Sequence, residues 1–193
     1  MGLGLDKNDR PEEGPVTKAA LTLMAVHAHP DDEASTTGGV LARYSAEGIR
    51  TVVVTCTDGA LGDGHETSKP GDAGHDEAWV VATRRRELET SCEILGVTSL
   101  ELLGYRDSGM MGWPQNDAEG SFWTTPVEVA AQRLSTLIEH YRPQVVVTYD
   151  SNGFYGHPEH PGAPDHGRCH GSDADTRQAL LSCGAGVGDD TVP

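Results

Sequence analysis

An apolar run that stops at a proline-containing loop is the feature that most constrains how this chain can fold. Residues 21–26 are mostly apolar and are followed by Ala28-His29-Pro30-Asp31-Asp32-Glu33. Such a run predicts a buried strand that leads into a loop. In an open α/β sheet, the loops at the carboxyl ends of the strands hold the chemistry. The histidine and the carboxylates of this loop therefore indicate a metal site at a strand end.

Strand and helix patterns alternate along the rest of the chain. Further strands are predicted at 51–56, 99–103 and 145–149, and helices at 38–47, 78–95 and 126–141. The strand at 51–56 is apolar through its length, as in parallel sheets whose two faces are both covered. Polar, glycine-containing stretches at 58–76 and 106–125 predict two long loops. The pattern predicts a doubly wound α/β fold, with a mostly parallel sheet flanked by helices.

The length and the local composition predict one domain with two tails. A chain of 193 residues suits a single domain. Residues 1–19 are polar and are expected to form a flexible N-terminal tail. Residues 161–193 contain six glycines but only four Leu, Ile or Val residues. We therefore expect the α/β domain at 20–160 and a weakly ordered, irregular C-terminal tail at 161–193.

The charge of the chain argues against two classes of partner. With 14 Lys and Arg against 30 Asp and Glu, the formal net charge is −16. Nucleic acid phosphates and anionic lipid head groups are repelled by such a chain, so neither nucleic acid nor membrane is an expected partner. No apolar run is long enough to span a membrane and no signal-peptide pattern opens the chain. Cys56 and Cys92 lie in apolar patterns that predict buried thiols, which favours a reducing, cytoplasmic setting.

A second histidine-containing motif follows the strand predicted at 145–149. His157 and His160 are three residues apart, as are His29 and Asp32 in the first motif. Two imidazoles and one carboxylate leave open positions on a metal, which is typical of a hydrolytic zinc site. Asp31 is then the natural general base. Alternatively, the first motif caps a helix and the second holds solvated histidines.

Together the two motifs closely resemble the PIG-L/LmbE-like family of zinc N-deacetylases, over about residues 21–160. The resemblance includes Thr55-Cys56-Thr57-Asp58-Gly59, Arg84–Glu87, Arg106-Asp107-Ser108-Gly109-Met110 and Val145–Asp150. The run at 106–110 and the aromatic-rich loop after it are similar to the actinobacterial branch, with the mycothiol-pathway deacetylase and the mycothiol conjugate amidase. The resemblance implies a Rossmann-like fold without dinucleotide binding. It also implies removal of acetyl groups from N-acetylglucosamine-containing molecules.

The resemblance also implies the roles of individual residues. It assigns ligation of one Zn²⁺ to His29, Asp32 and His160, catalysis to Asp31, His157 and Tyr155, and substrate binding to Arg84 and Asp107. Asp31 matches the general base, and His157 matches the protonated imidazole that stabilises the oxyanion. Tyr155 matches a tyrosine that reaches the substrate carbonyl in some members. Glu159 stands where relatives commonly have Asp and is expected to orient His157, whereas His27 is expected behind the site or in the core.

The sequence after His160 departs from the family, whose members continue with a helix and further strands. Pro161 and Pro164 disfavour a helix at this position. The function expected first is zinc-dependent removal of an N-acetyl group from a small, acetylated amino-sugar glycoside. The alternatives are an amidase acting on mycothiol-type conjugates and an inactive member that binds only metal or sugar. Apolar surface left uncovered by the short C-terminal region makes a homo-oligomer possible.

Overall fold

Strands and helices alternate along the part of the chain that the structure describes. The structure is a computed structural model, and it describes residues 21–150 together with His157 and Glu159. Its elements are β1 (Thr22–His27), α1 (Gly38–Ala46), β2 (Arg50–Thr57), α2 (Glu77–Leu95), β3 (Ser99–Tyr105), α3 (Val127–Tyr141) and β4 (Val145–Val147). The tails expected at 1–19 and 161–193 lie outside the described residues.

The four described strands form one parallel sheet in the order β3–β2–β1–β4. β1 pairs with β2 on one side, where Thr22 is opposite Arg50, and with β4 on the other, where Leu23 is opposite Val145. The chain therefore adds β2 and β3 on one side of β1 before it returns to add β4. The carboxyl ends of β1 and β4 meet where the strand order reverses, which is where open α/β sheets bind ligands.

Alternate residues of β1 enter two separate cores. Leu23 and Ala25 pack against α1 and α2 on one face of the sheet. Met24 and Val26 pack against α3 on the other face. Each of the four is at most 6% exposed, because successive side chains of a strand point to opposite faces and helices cover both. This arrangement confirms the predicted parallel sheet flanked by helices.

The ends of α2 are fixed by the residues beside it. Asp76 precedes the helix, and its carboxylate accepts a hydrogen bond of 3.1 Å from the Trp79 backbone N–H. Gly96 ends the helix, with a φ of +71° that favours glycine. Its N–H donates to the carbonyls of Cys92 and Glu93. These caps fix the length of the helix that contains Arg84.

Two features differ from the sequence prediction or extend it. β4 ends at Val147 rather than at residue 149, because its register with β1 runs only from Val145 to Val147. A short helical turn at Glu33–Thr37, which was not predicted, precedes α1. Cys56 and Cys92 are buried free thiols, as predicted.

Candidate metal centre and active site

The two histidine-containing motifs meet at the reversal point of the sheet. His29 follows β1 directly, and His157 and Glu159 come after β4. The ring centroids of His29 and His157 are 4.8 Å apart. Nε2 of His29 lies 2.6 Å from a carboxylate oxygen of Glu159, a residue 130 positions further along the chain. The fold therefore brings together side chains that the sequence placed on separate strands.

His29, His157 and Glu159 form a cluster that can hold a metal ion. One ligand atom from each lies within 4.8 Å of the others. The side chain of Glu159 is fully buried, and its second oxygen accepts a hydrogen bond of 2.7 Å from the Ser108 backbone N–H. The Glu159 backbone N–H donates to Nδ1 of His157 at 3.3 Å. Glu159 was expected to orient His157. The backbone N–H of Glu159 makes this contact, whereas the Glu159 carboxylate contacts His29.

Asp32 lies on the opposite side of the His29 ring. Its Oδ2 accepts hydrogen bonds from the His29 backbone N–H at 3.0 Å and from the Tyr149 hydroxyl at 2.5 Å. The same oxygen is 3.5 Å from Nδ1 of His29. The Tyr149 hydroxyl in turn accepts from the Ala28 backbone N–H at 2.8 Å. The carboxylate of Asp32 is therefore fixed by both strand ends that meet here.

The carboxylates around His29 favour a positive charge at this position. Burial opposes a charge on His29, but hydrogen bonds to Asp32 and Glu159 outweigh it and raise the pKa of the imidazole to about 10. Burial likewise opposes ionisation of Asp32, but hydrogen bonds from His29 and Tyr149 lower the pKa of its carboxyl below the usual range. Imidazole nitrogens and carboxylate oxygens are common zinc ligands, so the donor set fits a divalent cation such as zinc.

Asp31 has an unusual backbone and a partly exposed carboxylate. Its φ is +111°, a region that L-residues rarely adopt. Its backbone N–H donates to the Glu33 carboxylate at 2.9 Å, and its own carboxylate lies 2.5 Å from Nη2 of Arg84. Partial burial raises the pKa of Asp31, while the guanidinium of Arg84 opposes that rise. Asp31 lines the same cleft as His29 and His157.

Arg84 and Asp107, the expected substrate-binding residues, also line this cleft. Arg84 donates to the Pro30 carbonyl at 2.5 Å and to the Gly59 carbonyl at 3.3 Å, so it connects the loops that follow β1 and β2. Asp107 is buried and accepts from the Leu61 backbone N–H at 3.1 Å. One oxygen of Asp107 is 3.9 Å from Nε2 of His29.

The cleft at the reversal point is small and polar. It has a volume of about 190 Å³, and Met110 and Trp113 contribute apolar walls beside the histidines. A larger groove of about 580 Å³ lies along α2, near Ile94 and Leu95. That groove lacks histidine, so the smaller cleft is the candidate site.

Two of the expected site residues, Tyr155 and His160, lie outside the described residues. The structure places the other six together around the cleft: His29, Asp31, Asp32, Arg84, Asp107 and His157. Glu33 and Tyr149, which the sequence did not indicate as site residues, do not line the cleft but contact Asp31 and Asp32 from behind it. The sequence contained a signal for each of them, since Glu33 belongs to the first motif and Tyr149 ends the last predicted strand. His27 is buried beneath the site, where its Nε2 lies 2.9 Å from the Thr37 hydroxyl.

Comparisons with known proteins give the chain's relatives. Residues 24–170 match the PIG-L family model, which is described as GlcNAc-PI de-N-acetylase. The 1D-myo-inositol 2-acetamido-2-deoxy-α-D-glucopyranoside deacetylase of Thermobifida fusca (strain YX) is 47% identical over 142 residues, which make up 72% of this chain and 50% of that protein. The chain spans about half the length of the curated relatives it matches.

Solved structures show the same fold. The N,N'-diacetylchitobiose deacetylase from Pyrococcus horikoshii, in complex with its inhibitor MPG, matches with a TM-score of 0.58 and 26% identity over 75% of this chain and 47% of that chain. GalB, the 4-carboxy-2-hydroxymuconate hydratase from Pseudomonas putida KT2440, matches with a TM-score of 0.56 and 21% identity over 84% of this chain and 55% of that chain. The second likeness shows the fold alone, since one fold can host different reactions.

None of the helices that the structure describes combines the length and the apolar character that a membrane span requires.

Proposed function

We propose that this chain, which belongs to the PIG-L family of GlcNAc-PI de-N-acetylases, is a zinc-dependent hydrolase that removes the acetyl group from an N-acetylglucosamine-type small glycoside. One observation supports this proposal above others. The ligand atoms of His29, His157 and Glu159 lie within 4.8 Å of one another, in a cleft that Asp31 also lines. A metal-binding cluster beside a carboxylate that can act as a base suits hydrolysis of an amide.

The proposed metal is one zinc ion per chain. His29 and Asp32 would hold it, together with His160 from the sequence that follows Glu159. Of the cluster described above, only His29 is a proposed ligand, and His157 is proposed to act on the substrate instead. When bound, zinc supplies a Lewis acid that polarises the amide carbonyl and acidifies water. The buried Glu159 carboxylate adds negative charge on the other side of His29 and favours a cation there.

The proposed reaction replaces the C–N bond of the acetamide with a C–O bond to water. Asp31 accepts a proton from the attacking water as the oxygen bonds to the carbonyl carbon. The His157 imidazole donates a hydrogen bond to the oxyanion that develops on the carbonyl oxygen. Asp31 then delivers its proton to the nitrogen as the C–N bond breaks, which yields acetate and a free amine. Tyr155 is proposed to reach the same carbonyl.

Arg84 and Asp107 are proposed to face the sugar. Both line the cleft, and a carboxylate such as Asp107 accepts hydrogen bonds from sugar hydroxyls. Arg84 already bonds to Asp31 and to the Pro30 carbonyl, so its contact with substrate would use its remaining N–H groups.

The substrate and the setting belong to this proposal as well. The curated relative from Thermobifida fusca is named for an inositol glycoside of an acetylated amino sugar, and we propose a small substrate of that class. We also propose a cytoplasmic location, because buried free thiols such as Cys56 and Cys92 persist in reducing compartments.

The experiment that tests the proposal measures metal content and free-amine release on the purified chain. The substrates are an N-acetylglucosaminyl inositol and, for comparison, a mycothiol-type conjugate. We expect one zinc per chain and zinc-dependent amine release from the first substrate. Faster release from the conjugate would favour an amidase. Zinc without turnover would indicate an inactive member that only binds metal, and no bound zinc would overturn the proposal.

A further inference from the structure

We propose that Glu33 is a positioning residue for Asp31. Its buried carboxylate accepts a hydrogen bond from the Asp31 backbone N–H and so keeps the proposed general base in a strained conformation that faces the cleft. This inference rests on the proposed function, because it assumes that Asp31 acts as the base.

The backbone of Asp31 needs such support. Its φ of +111° differs from those of the other described non-glycine residues with positive φ, Glu66, Thr67 and Arg142, which lie between +46° and +62°. Those three are near the left-handed helical region, whereas +111° is a region used mainly by glycine. A strained residue of this kind persists only when its surroundings determine its conformation.

The surroundings fix both peptide groups of Asp31. Its N–H donates to Glu33 Oε2 at 2.9 Å. Its carbonyl accepts from the backbone N–H groups of Ala34 at 3.2 Å and Ser35 at 3.1 Å, both within the helical turn that Glu33 begins. The Asp31 carboxylate, by contrast, is 69% exposed on its side-chain surface and is held only through Arg84 among the described residues. Its direction therefore depends on the backbone from which it projects.

Glu33 is itself anchored from the core. It is 1% exposed. The Thr37 hydroxyl donates to the Glu33 carbonyl at 3.1 Å and lies 2.9 Å from Nε2 of the buried His27. The turn at Glu33–Thr37 is thus connected to the last residue of β1, the strand that leads into Asp31.

The choice of a carboxylate at this buried position needs an explanation. A buried charged group is unfavourable unless it is paired or hydrogen-bonded. Among the described residues, Glu33 belongs to none of the ion pairs. The Asp31 N–H is the partner that its carboxylate has in the described structure. A hydrogen bond to a charged acceptor is stronger than one to a neutral group, which suits an acceptor that has to hold a strained peptide.

The test compares Glu33→Leu, which has no acceptor, with Glu33→Gln, which keeps an acceptor oxygen. For Glu33→Leu we expect kcat for amine release to fall about ten- to a hundredfold, inside the range that a positioned base contributes. KM and bound zinc should change little, since Glu33 touches neither the cleft nor the metal-binding cluster. Glu33→Gln should restore most of kcat. Glu89→Leu, which removes an exposed carboxylate on α2, is the control and should match the parent chain.

A second measurement does not depend on activity. The Asp31 amide proton should exchange slowly with solvent in the parent chain and in Glu33→Gln, and quickly in Glu33→Leu, as followed by NMR. Fast exchange in the parent chain would overturn the proposal even if Glu33→Leu does not fold. Normal kcat in folded Glu33→Leu would overturn it too, as would equal losses in both variants. If the parent chain lacks turnover while the amide is protected, the proposed function fails and the contact with Glu33 stands.

Discussion

Asp31 is fixed by its neighbours at its backbone and at its side chain. Its N–H donates to Glu33, its carbonyl accepts from the turn that follows, and its carboxylate pairs with Arg84. Conformational freedom is therefore removed before any substrate binds, which is what a precisely placed proton acceptor requires. Because Asp31 is not among the proposed zinc ligands His29, Asp32 and His160, its substitution should separate metal binding from turnover.

Substitution of Asp31 by asparagine tests this separation. We expect Asp31→Asn to lower kcat by about 10²–10⁴-fold, because an amide cannot accept the proton that a general base takes. Zinc content should stay at the parent level. Amine release and metal analysis on the same sample measure both quantities. Asp63→Asn, which removes an exposed carboxylate that pairs with Lys69, is the matched control, and an unchanged kcat in Asp31→Asn would contradict the assignment.

Cys92 offers a prediction that depends on pH. Burial raises the pKa of its thiol to about 11, above the value of 9.0 that is usual for a cysteine. The stabilisation from the protonated thiol is thus fully present below pH 9 and is lost as the pH rises through the folded-state pKa. We expect slow alkylation of Cys92 in the native chain at pH 8 and fast alkylation in urea, as read by peptide mass mapping.

The same thiol should affect stability in alkaline solution. The free energy of unfolding should decline less steeply between pH 9 and 11 in Cys92→Ala than in the parent chain. Urea denaturation at a series of pH values measures this difference. Parallel declines in the two proteins, or native alkylation as fast as in urea, would show that the thiol is not buried as the structure has it.

At the scale of elements, the loop after β2 provides space for a side chain from α2. A Cβ at Gly59 would lie 2.9 Å from Nη1 of Arg84, and a Cβ at Gly62 would lie 2.7 Å from the same atom. Contacts this short force a shift. The two glycines therefore allow the guanidinium to lie between the loops after β1 and β2, where it reaches both Asp31 and the Pro30 carbonyl.

Substitution of Gly62 by alanine should displace Arg84. The atom that must move is at the end of a flexible side chain, so the melting temperature should change little. We expect kcat to fall about tenfold, less than the 10²-fold that a 1 Å misplacement can cost. Enzyme assay and thermal unfolding on the same preparation separate the two effects.

The control is another glycine to alanine change. In Gly39→Ala a Cβ would meet no atom within 4 Å, and this position lies in α1. Its kcat should equal that of the parent chain, and its stability should rise by up to about 1 kcal/mol, because alanine favours helix more than glycine does. A loss of kcat in Gly39→Ala, or none in Gly62→Ala, would contradict the role given to the loop.

At the scale of the whole molecule, the strand order creates the site. β1 lies between β2 and β4, so the sequences that follow β1 and β4 are adjacent although His29 and Glu159 are 130 residues apart. Unfolding separates these groups. A cation held by residues from both of these sequences therefore stabilises the folded chain, because it binds the native state more tightly than the unfolded one.

Zinc addition tests this coupling between fold and site. We expect Zn²⁺ to raise the melting temperature, with a stabilisation of about 2.7 kcal/mol when free metal is a hundredfold above Kd, and a chelator to reverse the effect. Mg²⁺, which prefers an octahedral oxygen environment, should have little effect. In His29→Ala the response to zinc should be lost. A parent chain whose melting temperature is the same with and without zinc would contradict the metal centre.

The sequence by itself determined the elements and the first motif. Apolar runs and helical spacing predicted every strand and long helix of the described chain. Burial of one or both faces of an element requires apolar residues at regular intervals, and this spacing is visible in a short stretch of sequence. The grouping of His29, Asp31 and Asp32 after β1 is likewise visible in a short stretch of sequence. The roles of Tyr155 and His160, outside the described residues, stay predictions.

The tertiary structure alone decided which distant side chains touch. That Glu159 contacts His29, that Tyr149 donates to Asp32, and that Arg84 pairs with Asp31 depends on strand order and side-chain direction. The support of Asp31 by Glu33 depends on a φ of +111° at an aspartate, which no pattern of residue types reveals. Periodicity records only whether a position is buried, and a partner more than a hundred residues away leaves no periodic signal.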